Sequence, residues 1–382
     1  MLKEQENIQS YSRLLRSALD AKLNTDDSSF SNSIGLKLTK NSLIVWLNEP
    51  SESILNVDFK DKIEQIASSI LYPQFVVKHK AGLTLIPRLN EPPESARGLK
   101  FGLHYGIYKR LKIKNLLNDV QIFESNKNLA IALMQDYYWQ PNKSPHLAIQ
   151  AITRGGKTTF LRYLVSNCVA FSKMGVKNGS FDDGAKELRV IDPKLDGKLR
   201  ESTLNLGGIY LSPDFSKNDN NFLDSVCSEL RKVIDLMHSR AIAKKNNPNL
   251  KFKDVFLMID EAISIPSSGN SKNRAIYMGL IDKISLMSAS FQIHLIVASQ
   301  SFLSGTAGVF SSQTRLEFST KILLASKITA ENAQFLFKEL DSAAINNLIL
   351  DEDEYGTLGV GIVTNGDGNI VPFKAPFIEK ME

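Results

Sequence analysis

Cysteine is nearly absent: Cys168 and Cys227 are the only two in 382 residues. Two thiols cannot build a disulfide framework, so a reducing compartment is the default. No uninterrupted apolar run approaches the ~18 residues that a membrane helix needs. The opening MLKEQENIQSYSRLL carries acids where a secretory leader needs an apolar core. Glycine (22) and proline (13) are too few for a collagen-like or low-complexity chain. What remains is expected to be a soluble, cytoplasmic protein. With 43% hydrophobic and 23% charged residues it has the material for a real core. At about 100–200 residues per domain, its length suggests two or three domains.

The net charge is +5, and it is unevenly spread. Residues 1–150 hold 19 basic and 15 acidic groups, residues 151–300 hold 21 and 15, and residues 301–382 hold 6 and 11. The acids of the last part include the run Asp351-Glu352-Asp353-Glu354. A basic body with an acidic tail suits a polyanion partner, and it equally suits a solvated surface of ordinary composition.

Residues 1–30 read as a polar helix and then a Ser/Asn/Asp-rich loop from Asn24 to Asn32. Strand-like runs at 35–38, 42–47, 75–78 and 83–87 flank a helical spacing of Ile63, Ile66, Ile70 and Leu71. This predicts a small α+β domain over 1–90. Glu91-Pro92-Pro93-Glu94 breaks the pattern. A basic, aromatic connector is expected over 91–127. Its core, 97–114, has six Lys/Arg and no acid, interleaved with Phe101, His104, Tyr105 and Tyr108. That mixture fits a nucleic-acid surface, or a strand pair with aromatics inward and lysines outward. Over 128–382, short charge-free runs at 146–149, 188–191, 255–259 and 294–298 alternate with helical patterns at 158–171, 221–244 and 273–290. Strands buried on both faces of a parallel sheet read this way.

The first of these runs ends in Ala151-Ile152-Thr153-Arg154-Gly155-Gly156-Lys157-Thr158-Thr159. This is a phosphate-binding loop of the G-x-x-x-x-G-K-S/T type, with Ala151 in place of the first glycine. Gly155 and Gly156 let backbone N–H groups turn toward phosphate oxygens. Lys157 reaches the outer phosphates, and the Thr158 hydroxyl suits Mg²⁺. The next helix offers its positive end to the anion. Thr153, Arg154 and Thr159 complete the expected ATP-binding set, with Arg154 either contacting phosphate or pointing to solvent. The run Val255–Ile259 ends in Asp260 and Glu261. Asp260 is expected to hold the Mg²⁺ shell and Glu261 to act as general base on the attacking water. The next run, 294–298, ends in Ser299-Gln300, and Gln300 is the candidate contact for the γ-phosphate.

The order of these segments resembles the FtsK/SpoIIIE family of DNA translocases over roughly 144–378. Pro145-His146-Leu147-Ala148-Ile149 and the loop look like PHLLIAG-x-TGSGKS. Val190-Ile191-Asp192-Pro193-Lys194 looks like the family's DPK segment. Leu236–Arg240 falls at its M-x-x-R helix, and Val255–Glu261 at its acidic strand. His294–Gln300 is similar to H-L-I-x-A-S-Q, and Lys321–Ile328 to R-I-x-x-x-x-S-K-I. Val371–Ile378 resembles the F-Q-A-P-Y ending of coupling-type members.

The resemblance implies a RecA-like P-loop NTPase with an α/β, mostly parallel sheet and helices on both faces. It further implies a homo-hexamer that surrounds single- or double-stranded DNA and takes ATP and Mg²⁺ between subunits. A relaxase or membrane-bound transfer protein would recruit it to the membrane, since it has no membrane segment of its own. The implied function is an ATP-driven DNA motor for conjugative transfer or partition of a mobile element. A nucleotide-switched DNA-binding adaptor and a protein-secretion ATPase are the alternatives. Arg154 replaces a loop glycine, and Glu331 stands where many relatives have Arg after S-K-I. Arg315 or Lys321 would then supply the trans-acting cation.

Overall fold

The computed structural model describes residues 2–23, 34–39, 41–48, 55–77, 82–93, 95–105, 108–125, 128–214, 220–268, 271–302, 310–337, 340, 350, 354–366 and 370–379. The expected loop at 24–32 and most of the acidic run 351–354 lie outside the described residues. Contacts divide the chain into Met1–Tyr108 and Lys109–Glu382.

In the first unit, helix α1 (Leu2–Leu23) precedes strands β1 (Ile34–Leu38) and β2 (Ser42–Leu47). Helix α2 (Val57–Leu71) follows, then β3 (Phe75–Val77), β4 (Leu85–Pro87) and β5 (Arg97–Tyr105). The α2 helix starts where the Asn56 side chain accepts the Phe59 N–H at 2.8 Å, satisfying one of the first turn's free donors. Its Ile63, Ala67 and Leu71 share one face and are buried against the sheet with Leu15 and Leu19 of α1. The basic segment therefore enters this sheet as β5, which pairs antiparallel with β2, β3 and β4, and Phe101 faces the core.

The second unit begins with β6 (Lys112–Ile113) and a three-stranded ribbon of β7 (Ile122–Ser125), β8 (Asn128–Met134) and β9 (Tyr137–Trp139). Then come β10 (Leu147–Ala151), α3 (Lys157–Lys177), β11 (Leu188–Ile191), α4 (Gly197–Asn205), β12 (Ile209–Leu211) and α5 (Asn220–Asn246). They are followed by β13 (Val255–Ile259), α6 (Ser271–Met287), β14 (Ile293–Ser299), α7 (Ser312–Glu317), β15 (Thr320–Leu324) and α8 (Ala330–Ala333). The antiparallel strands β16 (Val360–Thr364) and β17 (Val371–Lys374) come next, and β18 (Phe377–Ile378) pairs with β6.

The main sheet has eight strands in the order β12-β11-β13-β14-β10-β15-β16-β17, parallel from β12 through β15. This is the expected α/β arrangement with a mostly parallel sheet. Strands β10, β13 and β14 are buried along their whole length, which is why they read as unbroken apolar runs. Leu257, Leu295 and Ala148 face a core with Leu230 of α5 and Ile281 of α6. On the other face, Phe256 meets Phe171 of α3 at 5.9 Å and Trp139 at 6.0 Å between ring centroids.

The two histidines of the PHL and HLI segments turn out to be joints of this sheet. His146 Nδ1 accepts the Leu295 N–H at 3.0 Å, so its Nε2–H donates to the Ser285 carbonyl at 2.9 Å. His294 bridges the Asp254 carboxylate at 2.8 Å and the Pro145 carbonyl at 3.2 Å. Burial, with the neighbouring His294, lowers the His146 pKa from 6.5 to about 4. The unfolded chain protonates His146 near its ordinary pKa, so between these values it binds more protons than the folded chain. Stability is then full above the unfolded pKa and is lost as pH falls toward 4, by about 3 kcal/mol at most. Thermal melts from pH 7 to pH 4 are expected to show this decline in the native chain. The His146→Gln variant is expected to flatten it.

Candidate functional site

The site lies at the carboxyl edge of the parallel strands, where β10, β11, β13 and β14 release their loops. After β10 the chain turns at once: Ile152 N–H donates to the Leu324 carbonyl at 3.1 Å, and Gly155 N–H to the Ile152 carbonyl at 2.9 Å. A Cβ on Gly155 would stand 3.0 Å from both of those carbonyl oxygens. Gly156 has φ +89° and precedes the first residue of α3 as its N-cap, and a Cβ there would meet Gly359 N at 3.1 Å. Both glycines are therefore required by close backbone approach. Arg154 takes φ +62°, a left-handed conformation costing a non-glycine residue roughly 1–2 kcal/mol, and its side chain is exposed. Helix α3 has no acid in its first turn, which leaves its N-terminal positive end unopposed. Thr158 and Thr159 are half-buried in that turn, and Thr153 is exposed.

Lys157 projects from α3 to the end of β13. Its ammonium donates to Asp260 Oδ1 at 2.6 Å and, in a very short contact, to Glu261 Oε2. Asp260 is further fixed by its own N–H, which donates to the Ile191 carbonyl at 2.9 Å, and by the Glu261 N–H on its Oδ1 at 2.8 Å. Glu261 sits at φ +45°, the strained end of the strand, held by Ser264 N–H and Oγ on its carbonyl at 2.9 Å. Burial raises the Asp260 pKa, helped by the nearby Asp192 and Glu261 and opposed by Lys157. Burial pushes Glu261 up as well, but the hydrogen bonds from Lys157 and Lys194 outweigh it and leave Glu261 lowered. Burial would lower Lys157, yet the two carboxylates keep it raised. The result is a buried cation–anion cluster that ties the phosphate loop to the acidic strand.

Gln300 follows β14, the strand between β10 and β13, as its position in the sequence requires. It is exposed and takes no part in the ion-paired cluster. Asp192 and Lys194 do matter here, and the sequence reading gave them no role. Asp192 is fully buried. Its carboxylate accepts Tyr210 Oη at 2.6 Å, Lys194 N–H at 2.8 Å and Asp196 N–H at 2.7 Å, which shapes the loop after β11. Lys194 Nζ then reaches Glu261 Oε2 at 2.9 Å. A carboxylate and a lysine at the end of a buried strand were the available signal.

Other cations singled out by the sequence are committed within the fold. Arg240 grips Asp183 at 2.7 Å and the Phe291 carbonyl at 2.6 Å. Arg110 donates to the Ala375 and Gly356 carbonyls at 3.1 and 3.4 Å, and Lys112 to Glu354 at 2.7 Å. Arg315 donates to the Phe302 carbonyl at 3.4 Å. Among the described residues no helix is long and apolar enough to cross a membrane. No group of three or more His, Cys, Asp or Glu among them is placed to hold a metal by itself.

A parallel sheet with a lysine-bearing loop after one strand and paired acids after another defines a P-loop NTPase fold. Within that class the resemblance is to FtsK-domain proteins. The FtsK domain-containing protein YdcQ of Bacillus subtilis (strain 168) is 22% identical over 263 residues, covering 66% of this chain and 48% of YdcQ. The chain thus spans about half the length of that curated relative. No protein-family model matches the chain. Among solved structures, the pCW3 conjugation coupling protein TcpA, in a monomer form with ATPγS, overlaps 97% of this chain and 96% of its own. Its TM-score is 0.46 and its identity 14%. The cytoplasmic domain of EssC overlaps 94% of this chain and 61% of its own, with a TM-score of 0.44 and 15% identity.

Removing Lys157 leaves the buried Asp260 without a cation and Glu261 with Lys194 alone. Lys157→Met is expected to destabilise the protein by about 3 kcal/mol in urea melts without nucleotide. Adding Asp260→Asn and Glu261→Gln is expected to recover most of that loss.

Proposed function

We propose that this chain is an ATP-hydrolysing DNA motor of the FtsK type, acting in conjugative transfer or partition of a mobile element. The observation that carries the ATPase part is the convergence of Lys157, Asp260 and Glu261 at one sheet edge. The DNA part rests on the ordered motif resemblance and on the likeness to a curated FtsK-domain protein.

In this reading the backbone N–H groups of 153, 154, 156 and 157 and the N-terminus of α3 bind the ATP phosphates, while the Gly155 N–H stays on the Ile152 carbonyl and fixes the turn. Lys157, held by Asp260 and Glu261 without nucleotide, turns its ammonium to the outer phosphates when ATP binds. Asp260 and the Thr158 hydroxyl are hard oxygen donors, and that donor set fits Mg²⁺. A bound Mg²⁺ would neutralise charge on the phosphate oxygens. Glu261 takes the proton of the attacking water. Hydrogen bonds from Lys157 and Lys194 hold the Glu261 pKa low in the nucleotide-free chain, which favours the ionised form that a base needs. Gln300, exposed at the tip of the intervening strand, contacts the γ-phosphate. The motor works as a homo-hexamer on DNA, recruited by a relaxase or a membrane-bound transfer protein.

The second reading is a nucleotide-switched adaptor. It is favoured by Glu331, exposed at the start of α8 where many relatives carry Arg.

ATP turnover with and without DNA separates the two. A motor is expected to hydrolyse ATP faster on DNA, and to lose at least about 100-fold in turnover in Lys157→Ala and in Glu261→Gln. Turnover that DNA never raises, together with ATP-dependent oligomers in light scattering, would establish the adaptor instead.

A further inference from the structure

We infer that Lys194 is a positioning residue that takes over Glu261 when ATP claims Lys157. This rests on the nucleotide site proposed above and adds a second lysine to it.

Glu261 is a carboxylate whose side chain is only 5% exposed, and its Oε2 accepts from two ammonium groups at once. They differ in kind. Lys157 is 12% exposed and belongs to the phosphate loop, while Lys194 is 53% exposed and belongs to the loop after β11. Strands β11 and β13 are paired neighbours, so their loops emerge side by side. The backbone of the Lys194 loop is held by the buried Asp192 carboxylate, which accepts the N–H groups of Lys194 and Asp196. Lys194 therefore starts from a fixed point within reach of Glu261. It also has no phosphate-binding role of its own in the loop motif.

Phosphate oxygens compete with Glu261 for the Lys157 ammonium. A buried carboxylate stripped of its cation is strongly disfavoured. Were Lys157 the sole partner, binding ATP would have to leave Glu261 uncompensated, and that penalty would be charged to ATP affinity. With Lys194 in place, Glu261 keeps one cation and a fixed aim while Lys157 turns to phosphate. Lys194 thus acts through Glu261 and not on the nucleotide.

The test is a double-mutant cycle read by binding of a fluorescent ATP analogue at fixed salt. Lys194→Ala is expected to weaken binding about tenfold, with an unchanged thermal midpoint without nucleotide, because Lys157 still compensates Glu261 there. Lys194→Arg is expected to bind like the native chain. In the Glu261→Gln background, which has no charge to compensate, adding Lys194→Ala is expected to change affinity less than twofold. Equal losses in both backgrounds, or no loss in either, would overturn the inference. Lys157→Ala serves as the control on the site itself. If it binds the analogue as tightly as the native chain, the nucleotide site has failed and this inference falls with it.

Discussion

A lysine ammonium lodged against two buried carboxylates is the constraint around which the second unit is arranged. The charges come from strands that are not adjacent: β10 leads into the Lys157 helix and β13 ends in the acids, with β14 between them. For the three charges to meet, the strands must be parallel, in register and of matched length. The apolar packing on both faces of the sheet supplies that precision. A buried ion pair adds little net stability by itself, because desolvation opposes the Coulomb gain. Its value is geometric. It holds the loop, the acidic strand end and the neighbouring lysine loop in one arrangement that other partners can bias.

The residues that mark the sequence pattern divide into two kinds once their contacts are known. His146 and His294 join strand starts and helix ends at the amino edge of the sheet, the edge opposite the Lys157–Asp260–Glu261 cluster. Arg240 likewise bolts α5 to the turn before β14. These act on architecture. The DPK segment, by contrast, lies at the carboxyl edge and reaches the candidate base through Lys194. A shared pattern therefore reports fold joints and chemistry together, and only the location of each residue on the sheet separates them.

Much of the fold was legible because parallel strands buried on both faces leave an unmistakable trace, and β10, β11, β13 and β14 fall where the apolar runs stand. The loop was legible because close backbone approach demands glycine, and the paired acids because they end a buried strand about 100 residues after a lysine-bearing loop. What escaped depends on contacts between distant residues. Nothing local announces that Lys194 meets Glu261, or that Asp192 is a loop organiser and not a surface acid. The basic segment shows the same limit. Its composition suits a polyanion, yet Arg110 and Lys112 spend their charge on Gly356, Ala375 and Glu354 of their own chain. Phe101 sits in the core of the first unit, as the strand reading of that stretch allowed.

Those contacts of Arg110 reach further than the surface they occupy. The turn that Arg110 grips also carries Gly359, which backs directly onto Gly156 of the phosphate loop. The rear wall of the loop is thus assembled from segments 246 and 265 residues apart along the chain. During synthesis the loop emerges long before its support does. A nascent chain would display the glycine-rich turn and the lysine while still unable to hold them in shape. The shape of the loop would then arrive as a late event, coincident with closure of the whole second unit.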